Sequence, residues 1–168
     1  QQFSENMQGF SLTRIKDILL LQARQFREDD GPLAHPVRPI KYLEINNFYT
    51  ATVYEKGAEL VRMLKLIVGS KSYYEALQLY FDTYDGQACT VEDWLKVFEK
   101  TTGIDLEQYS LWYTEKGRPL VKMVSSFQDG TFSMTFSQKP GANQNKNAKP
   151  MVIPISIGLL NQNGSEEI

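Results

Sequence analysis

The feature that most constrains this chain is a change of hydrophobic period at Arg118-Pro119. Ahead of it, apolar residues recur at three-to-four spacing, which calls for amphipathic helices; behind it they alternate, which calls for strands. Leu120, Lys122 and Val124 fall on one side of such a strand and Val121, Met123 and Ser125 on the other. Gln128-Asp129-Gly130 then supplies a hairpin turn into a second strand, Thr131 to Ser137. The Asn-, Gly- and Lys-rich run from Lys139 to Lys149 reads as an exposed loop, and Met151 to Leu160 as a third strand. Three strands leave both edges open, so the segment reads as the opening of an incomplete β-sandwich. The expected fold is α+β, with a helical unit over 1–118 and the start of a β domain over 119–168.

Five helices are predicted before the switch. The first follows Ser11 as N-cap, carries Leu12, Ile15, Ile18, Leu19 and Gln22, and runs to about Phe26. The second begins near Thr50 to Thr52, presents Val53, Gly57, Leu60, Val61, Leu64 and Val68 on one face, and closes at Gly69 in the left-handed conformation. Ser70 caps a third that closes near Gly86; its cluster Tyr73, Tyr74, Tyr80, Phe81 and Tyr84 reads as core and partial surface. Thr90 with Asp93 resembles a capping box for a fourth, which carries Trp94, Leu95, Val97 and Phe98 to Gly103. A fifth runs from Leu106 to about Glu115, with Asp105 as cap and Gly117 behind. Between Arg27 and Phe48 the period dissolves around Pro32, Pro36 and Pro39, each of which removes an amide donor and disfavours helix in the residue before it. A long aperiodic loop inside a compact unit is usually functional.

Charge and composition exclude several classes. A formal net charge of −2 gives no field that gathers phosphates, so no nucleic-acid partner is expected. The longest apolar run, Ile18 to Leu21, is far short of the ~20 residues that span a bilayer, so no membrane partner is expected either. The single Cys89 forbids an internal disulfide and fits a reducing, cytoplasmic setting. The opening Gln1-Gln2-Phe3 and the hydrophilic run from Asn161 to Glu167 read as the ends of a fragment.

Few residues are candidates for chemistry. The sole histidine, His35, lies in the proline-rich loop, and a metal site needs three or four ligands. His35 therefore reads as a loop histidine bonded to backbone, and no metal ligand is assigned. The segment E-I-N-N-F-Y-T-A-T-V-Y-E-K-G, Glu44 to Gly57, sets Asn46, Asn47, Tyr49 and Tyr54 where this loop enters the second helix. A tyrosine in the first turn of a well-packed helix is anchored through its ring while its hydroxyl faces a cleft. Tyrosine is also commonly a half-buried packing residue, so the residues alone leave both roles open. Glu55 and Lys56 read as a solvated pair of opposite charges, with hydrogen-bonded support of the site as the other possibility.

The run N-N-F-Y-T-A-T-V-Y-E-K-G-A-E, with P-L-A-H-P-V-R-P before it and L-Y-F-D-T-Y-D-G-Q-A and W-Y-T-E-K-G-R-P after it, closely resembles the gluzincin zinc aminopeptidases. The likeness starts at Gln1-Gln2-Phe3-Ser4 and continues into the first strands. It implies a thermolysin-like catalytic domain whose zinc is held by a His-Glu-x-x-His motif and a further Glu, none of them in this chain. It implies further that Tyr54 is the catalytic, oxyanion-stabilising residue, that Asn46 and Tyr49 are substrate-binding residues of the first side-chain pocket, and that the partners are a peptide substrate and the remainder of the parent polypeptide. On this reading the isolated piece is inactive. The competing expectation is a stand-alone helical module that binds a peptide or protein without catalysis.

Overall fold

A computed structural model describes residue 7 and residues 9–166; Gln1-Gln2-Phe3-Ser4 and Glu167 lie outside the described residues. The order is α1 (Phe10–Leu20), a first π turn (Leu21–Gln25), α2 (Phe26–Asp30), a 3₁₀ turn (Ile45–Phe48), a second π turn (Thr52–Lys56), α3 (Gly57–Val68), α4 (Ser70–Tyr84), α5 (Val91–Thr102), α6 (Glu107–Thr114), β1 (Leu120–Gln128) and β2 (Thr131–Lys139). Helices followed by an antiparallel hairpin make the chain α+β.

The core gathers around α3. Leu60, Leu64 and Val68 of α3 pack with Tyr73 and Ala76 of α4, Leu95, Val97 and Phe98 of α5, and Leu106, Tyr109 and Tyr113 at and within α6. Within it, the buried Tyr109 hydroxyl donates to the Leu60 carbonyl at 2.6 Å, and burial raises its pKa. A hydroxyl withdrawn from water needs such a partner, and here it also fixes α6 against α3. Tyr73 is buried while Tyr74 and Phe81 are exposed, as the aromatic spacing of α4 implies.

Local signals are read correctly at α5. Thr90 accepts from the Asp93 amide, and the Asp93 carboxylate accepts from the Thr90 amide, a complete capping box that holds the Asp93 carboxyl below its usual range. Elsewhere the details differ. Gly9 and not Ser11 precedes α1, Gly69 and not Ser70 precedes α4, and neither makes a side-chain cap. Gly69 has φ 81° but ψ 154°, an extended rather than left-handed helical closure, which lets one residue end α3 and start α4 directly. The first helical stretch reaches Asp30, beyond the predicted Phe26, and its apolar stripe Leu12, Ile15 and Leu19 stays exposed.

β1 and β2 pair around the predicted turn at Asp129-Gly130, Leu120 with Lys139 through Gln128 with Thr131, so β2 runs two residues past the predicted Ser137. Among the described residues the third strand is not formed: 151–159 carry no ladder, and the bridge nearby joins Leu160 to Glu166. At the start of the segment, side chains rather than a neighbouring strand satisfy the backbone. Gln138 donates to the Met151 carbonyl and accepts its amide, Gln108 donates to Pro150, and Trp112 donates to Val152.

The run predicted as an exposed loop after β2 is partly packed. Gln144 is buried, and Asn143 donates to the carbonyls of Asp29 and Gly31. At Gly141 the backbone lies so close to residue 118 that a Cβ would fall on the Arg118 carbonyl oxygen. Gly141→Ala is expected to destabilise the chain by ~1–3 kcal/mol, because the backbone must shift to admit a methyl group. Denaturant unfolding of the two proteins measures the difference.

Candidate active site

The helix that carries Tyr54 takes a π turn just inside its start: the Tyr54 amide donates to the Thr50 carbonyl at 3.1 Å in α fashion, but the Gly57 amide reaches back to the Thr52 carbonyl, five residues earlier. Such insertions widen the helix and re-aim the side chains within them. The register of the buried face shows how the turn is accommodated. Thr52, Lys56, Leu60, Leu64 and Val68 are all buried, a strict four-residue stripe. The first two places of that stripe are polar, and both are answered by the end of the first helical stretch.

Thr52 is held twice. Its amide donates to Glu28 Oε1 at 2.7 Å, and its hydroxyl accepts from Gln25 Nε2 at 3.3 Å. Lys56, only 5% exposed, donates its Nζ to Asp29 Oδ2 at 2.8 Å and to the Gly117 carbonyl at 2.9 Å. Asp29, fully buried, also accepts the Gly117 amide at 2.8 Å through Oδ1. The reading of Lys56 as solvated is thus corrected, because a lysine in the inward register of α3 reaches a carboxylate that no solvent touches.

Ahead of the π turn, Thr50 links the helix to the proline-rich loop. Its hydroxyl oxygen lies 2.8 Å from His35 Nε2 and accepts the Val53 amide at 3.2 Å, while His35 Nδ1 lies 2.8 Å from the Leu33 carbonyl. Since a carbonyl only accepts, Nδ1 carries the proton and Nε2 accepts from Thr50 in the neutral ring. This is the backbone-bonded loop histidine expected from the sequence, with a helix-capping threonine as an additional partner.

Tyr54 is 58% exposed, and its ring stacks on that of Tyr49, which is 61% exposed, with centroids 6.4 Å apart and planes 26° apart. Asn46 lines a cavity of about 470 Å³ together with Glu28, His35, Lys41, Tyr42 and Thr50. Tyr49 and Tyr54 are not among the residues lining it. The three candidate residues therefore fall into a stacked tyrosine pair and a cavity-lining asparagine on the 3₁₀ turn just before it. Among the described residues no three His, Cys, Asp or Glu side chains converge to hold a metal ion, so the donor set does not fit a zinc site on this chain. Among the described residues no helix is long and apolar enough to cross a membrane.

Residues that the sequence reading missed are Gln25, Glu28, Asp29 and the inward role of Lys56. The four-residue spacing of Thr52, Lys56, Leu60 and Leu64 was a visible signal for Lys56. Nothing local marked Asp29 within the acidic run Glu28-Asp29-Asp30.

Comparison with known proteins defines the class. Residues 2–127 match the peptidase family M1 domain, and residues 117–168 match a domain of unknown function (DUF3458) with an Ig-like fold. The chain belongs to peptidase family M1. It is 47% identical to aminopeptidase N of Caulobacter vibrioides over 80% of its length and 36% identical to aminopeptidase N of Escherichia coli over 98%. The chain spans only 16% and 19% of those relatives. It also superposes on Legionella pneumophila aminopeptidase A, solved in complex with aspartic acid, with a TM-score of 0.70 and 29% identity, covering 90% of this chain and 19% of that one.

The buried pair gives a direct prediction. Lys56→Met leaves Asp29 charged and buried without its cation, which is expected to cost ~3–5 kcal/mol. Lys71→Met, at a lysine whose side chain is 90% exposed, is expected to stay within ~0.5 kcal/mol. Urea midpoints of the two variants test the contrast.

Proposed function

We propose that this chain is part of a zinc metallo-aminopeptidase that releases N-terminal amino acids from peptides, and that Tyr54 is its oxyanion-stabilising residue. The supporting observation is an exposed phenol on a helix turn tied down on both sides, through the Thr52 backbone amide and through the Lys56 side chain. A donor that is fixed before the substrate arrives needs no reorganisation when charge develops.

The chemistry follows from amide hydrolysis. When water adds to the peptide carbonyl, its oxygen becomes an oxyanion, and a donor ~2.7–3.1 Å away stabilises that state more than the starting carbonyl. The Tyr54 hydroxyl donates and keeps its proton. Asn46 and Tyr49 help to form the pocket for the first side chain of the peptide, Asn46 from the cavity wall and Tyr49 by bracing the Tyr54 ring. In this reading residues 1–118 are the helical end of a thermolysin-like catalytic domain and 119–168 open the following β-sandwich. The zinc is bound by parts of the parent polypeptide outside this chain, which alone is inactive, and the lone Cys89 fits a cytoplasmic enzyme.

In the full-length enzyme Tyr54→Phe is expected to lower kcat ~100- to 1000-fold with little change in KM. Steady-state hydrolysis of an aminoacyl anilide measures both constants. A phenylalanine variant that turns over at a near-normal rate would overturn the assignment.

A further inference from the structure

The second π turn is gripped from one side by consecutive residues of α2. Glu28 Oε1 takes the Thr52 amide and Asp29 Oδ2 takes Lys56 Nζ, each bond 2.7–2.8 Å long, while Gln25, the last residue of the first π turn, bonds the Thr52 hydroxyl. Tyr54 stands midway between the two gripped positions. The grip at Thr52 is of a particular kind. A first-turn amide has no partner within its own helix and is usually satisfied by a cap from the preceding residues; here the Thr50 hydroxyl takes the Val53 amide, and the Thr52 amide goes instead to a carboxylate 24 residues upstream. A charge-assisted bond of this type is shorter and more directional than a neutral one.

The direction of a side chain in a helix follows its backbone, so whatever fixes Thr52 and Lys56 fixes the bearing of the phenol between them. We infer that Glu28, aided by Gln25, is a positioning residue: by holding the Thr52 amide it sets where the Tyr54 hydroxyl points. The Asp29–Lys56 pair secures the far end of the same turn. The inference rests on the catalytic reading of Tyr54 and deepens it, because a displaced donor loses most of its effect on the transition state while substrate binding changes little.

The test is a double-mutant cycle on the full-length enzyme, with kcat and KM measured on an aminoacyl anilide. Glu28→Ala is expected to lower kcat ~10-fold or more with KM within ~2-fold, and Glu28→Gln, which keeps an acceptor oxygen, to restore most of it. In the Tyr54→Phe background the same Glu28→Ala change is expected to cost no more than ~2-fold, since the hydroxyl it positions is gone. Equal losses of kcat in both backgrounds overturn the positioning role while leaving Tyr54 intact as the donor. A Tyr54→Phe enzyme with unaltered kcat overturns both. Should Glu28→Ala fail to fold, Gln25→Met, which keeps the side-chain length and removes only the hydroxyl bond, carries the same cycle with a smaller expected loss, and additivity there is equally fatal.

Discussion

The ion pair between Lys56 and Asp29 joins three parts of the chain that are remote in sequence: the end of the first helical stretch, the start of α3, and the turn at Gly117 that leads into β1. Both charges are out of water, and their desolvation is repaid only if every remaining donor and acceptor finds a partner. Gly117 meets that demand with both of its backbone groups, its carbonyl accepting from Lys56 and its amide donating to Asp29. The arrangement is better understood as a source of register than of net stability, since an apolar pair of similar volume would pack there without the desolvation cost. What an apolar pair would not do is specify one rotation of α3 about its axis.

That rotation matters because of what lies on the opposite side of the turn. With Thr52 and Lys56 inward, Tyr54 points outward, where it stacks on Tyr49, while Asn46, His35 and Glu28 line a separate cavity ahead of the turn. Two π turns lie against each other here, one in each helical stretch, and Gln25 and Thr52 bond across the contact. The proline-rich loop is tied to the same point through His35 and Thr50. The turn that bears the phenol is thereby fixed by buried polar bonds, while the phenol itself remains accessible. This division suits a group that must meet a substrate without moving.

The β segment shows the converse case. Its hairpin forms because Asp129-Gly130 and the alternating pattern are local instructions, yet every residue of β1 remains exposed. A strand at 151–160 needed a neighbour along its whole length. Among the described residues, side chains instead hold the backbone at and just before its start, Gln108 at Pro150, Gln138 at Met151 and Trp112 at Val152. The loop between these segments turns inward for a similar reason, as Asn143 bonds the carbonyls of Asp29 and Gly31 where the first helical stretch ends.

What the sequence determined by itself was local: the four later helices, the Thr90–Asp93 box, the hairpin turn, and the placing of Tyr49 and Tyr54 where a loop enters a helix. Each depends on spacing or on capping chemistry within a few residues. The family likeness was legible in V-Y-E-K-G and its neighbours, and the match of residues 2–127 to peptidase family M1 agrees with it. The tertiary structure alone decided the rest: that Lys56 turns inward, that Asp29 rather than Glu28 or Asp30 receives it, that the helix takes a π turn at 52–56, and that Leu12, Ile15 and Leu19 face outward. A carboxylate in an acidic run looks the same in sequence whether water or a lysine surrounds it. Only the folded path, which brings residues 29, 56 and 117 together, distinguishes the two.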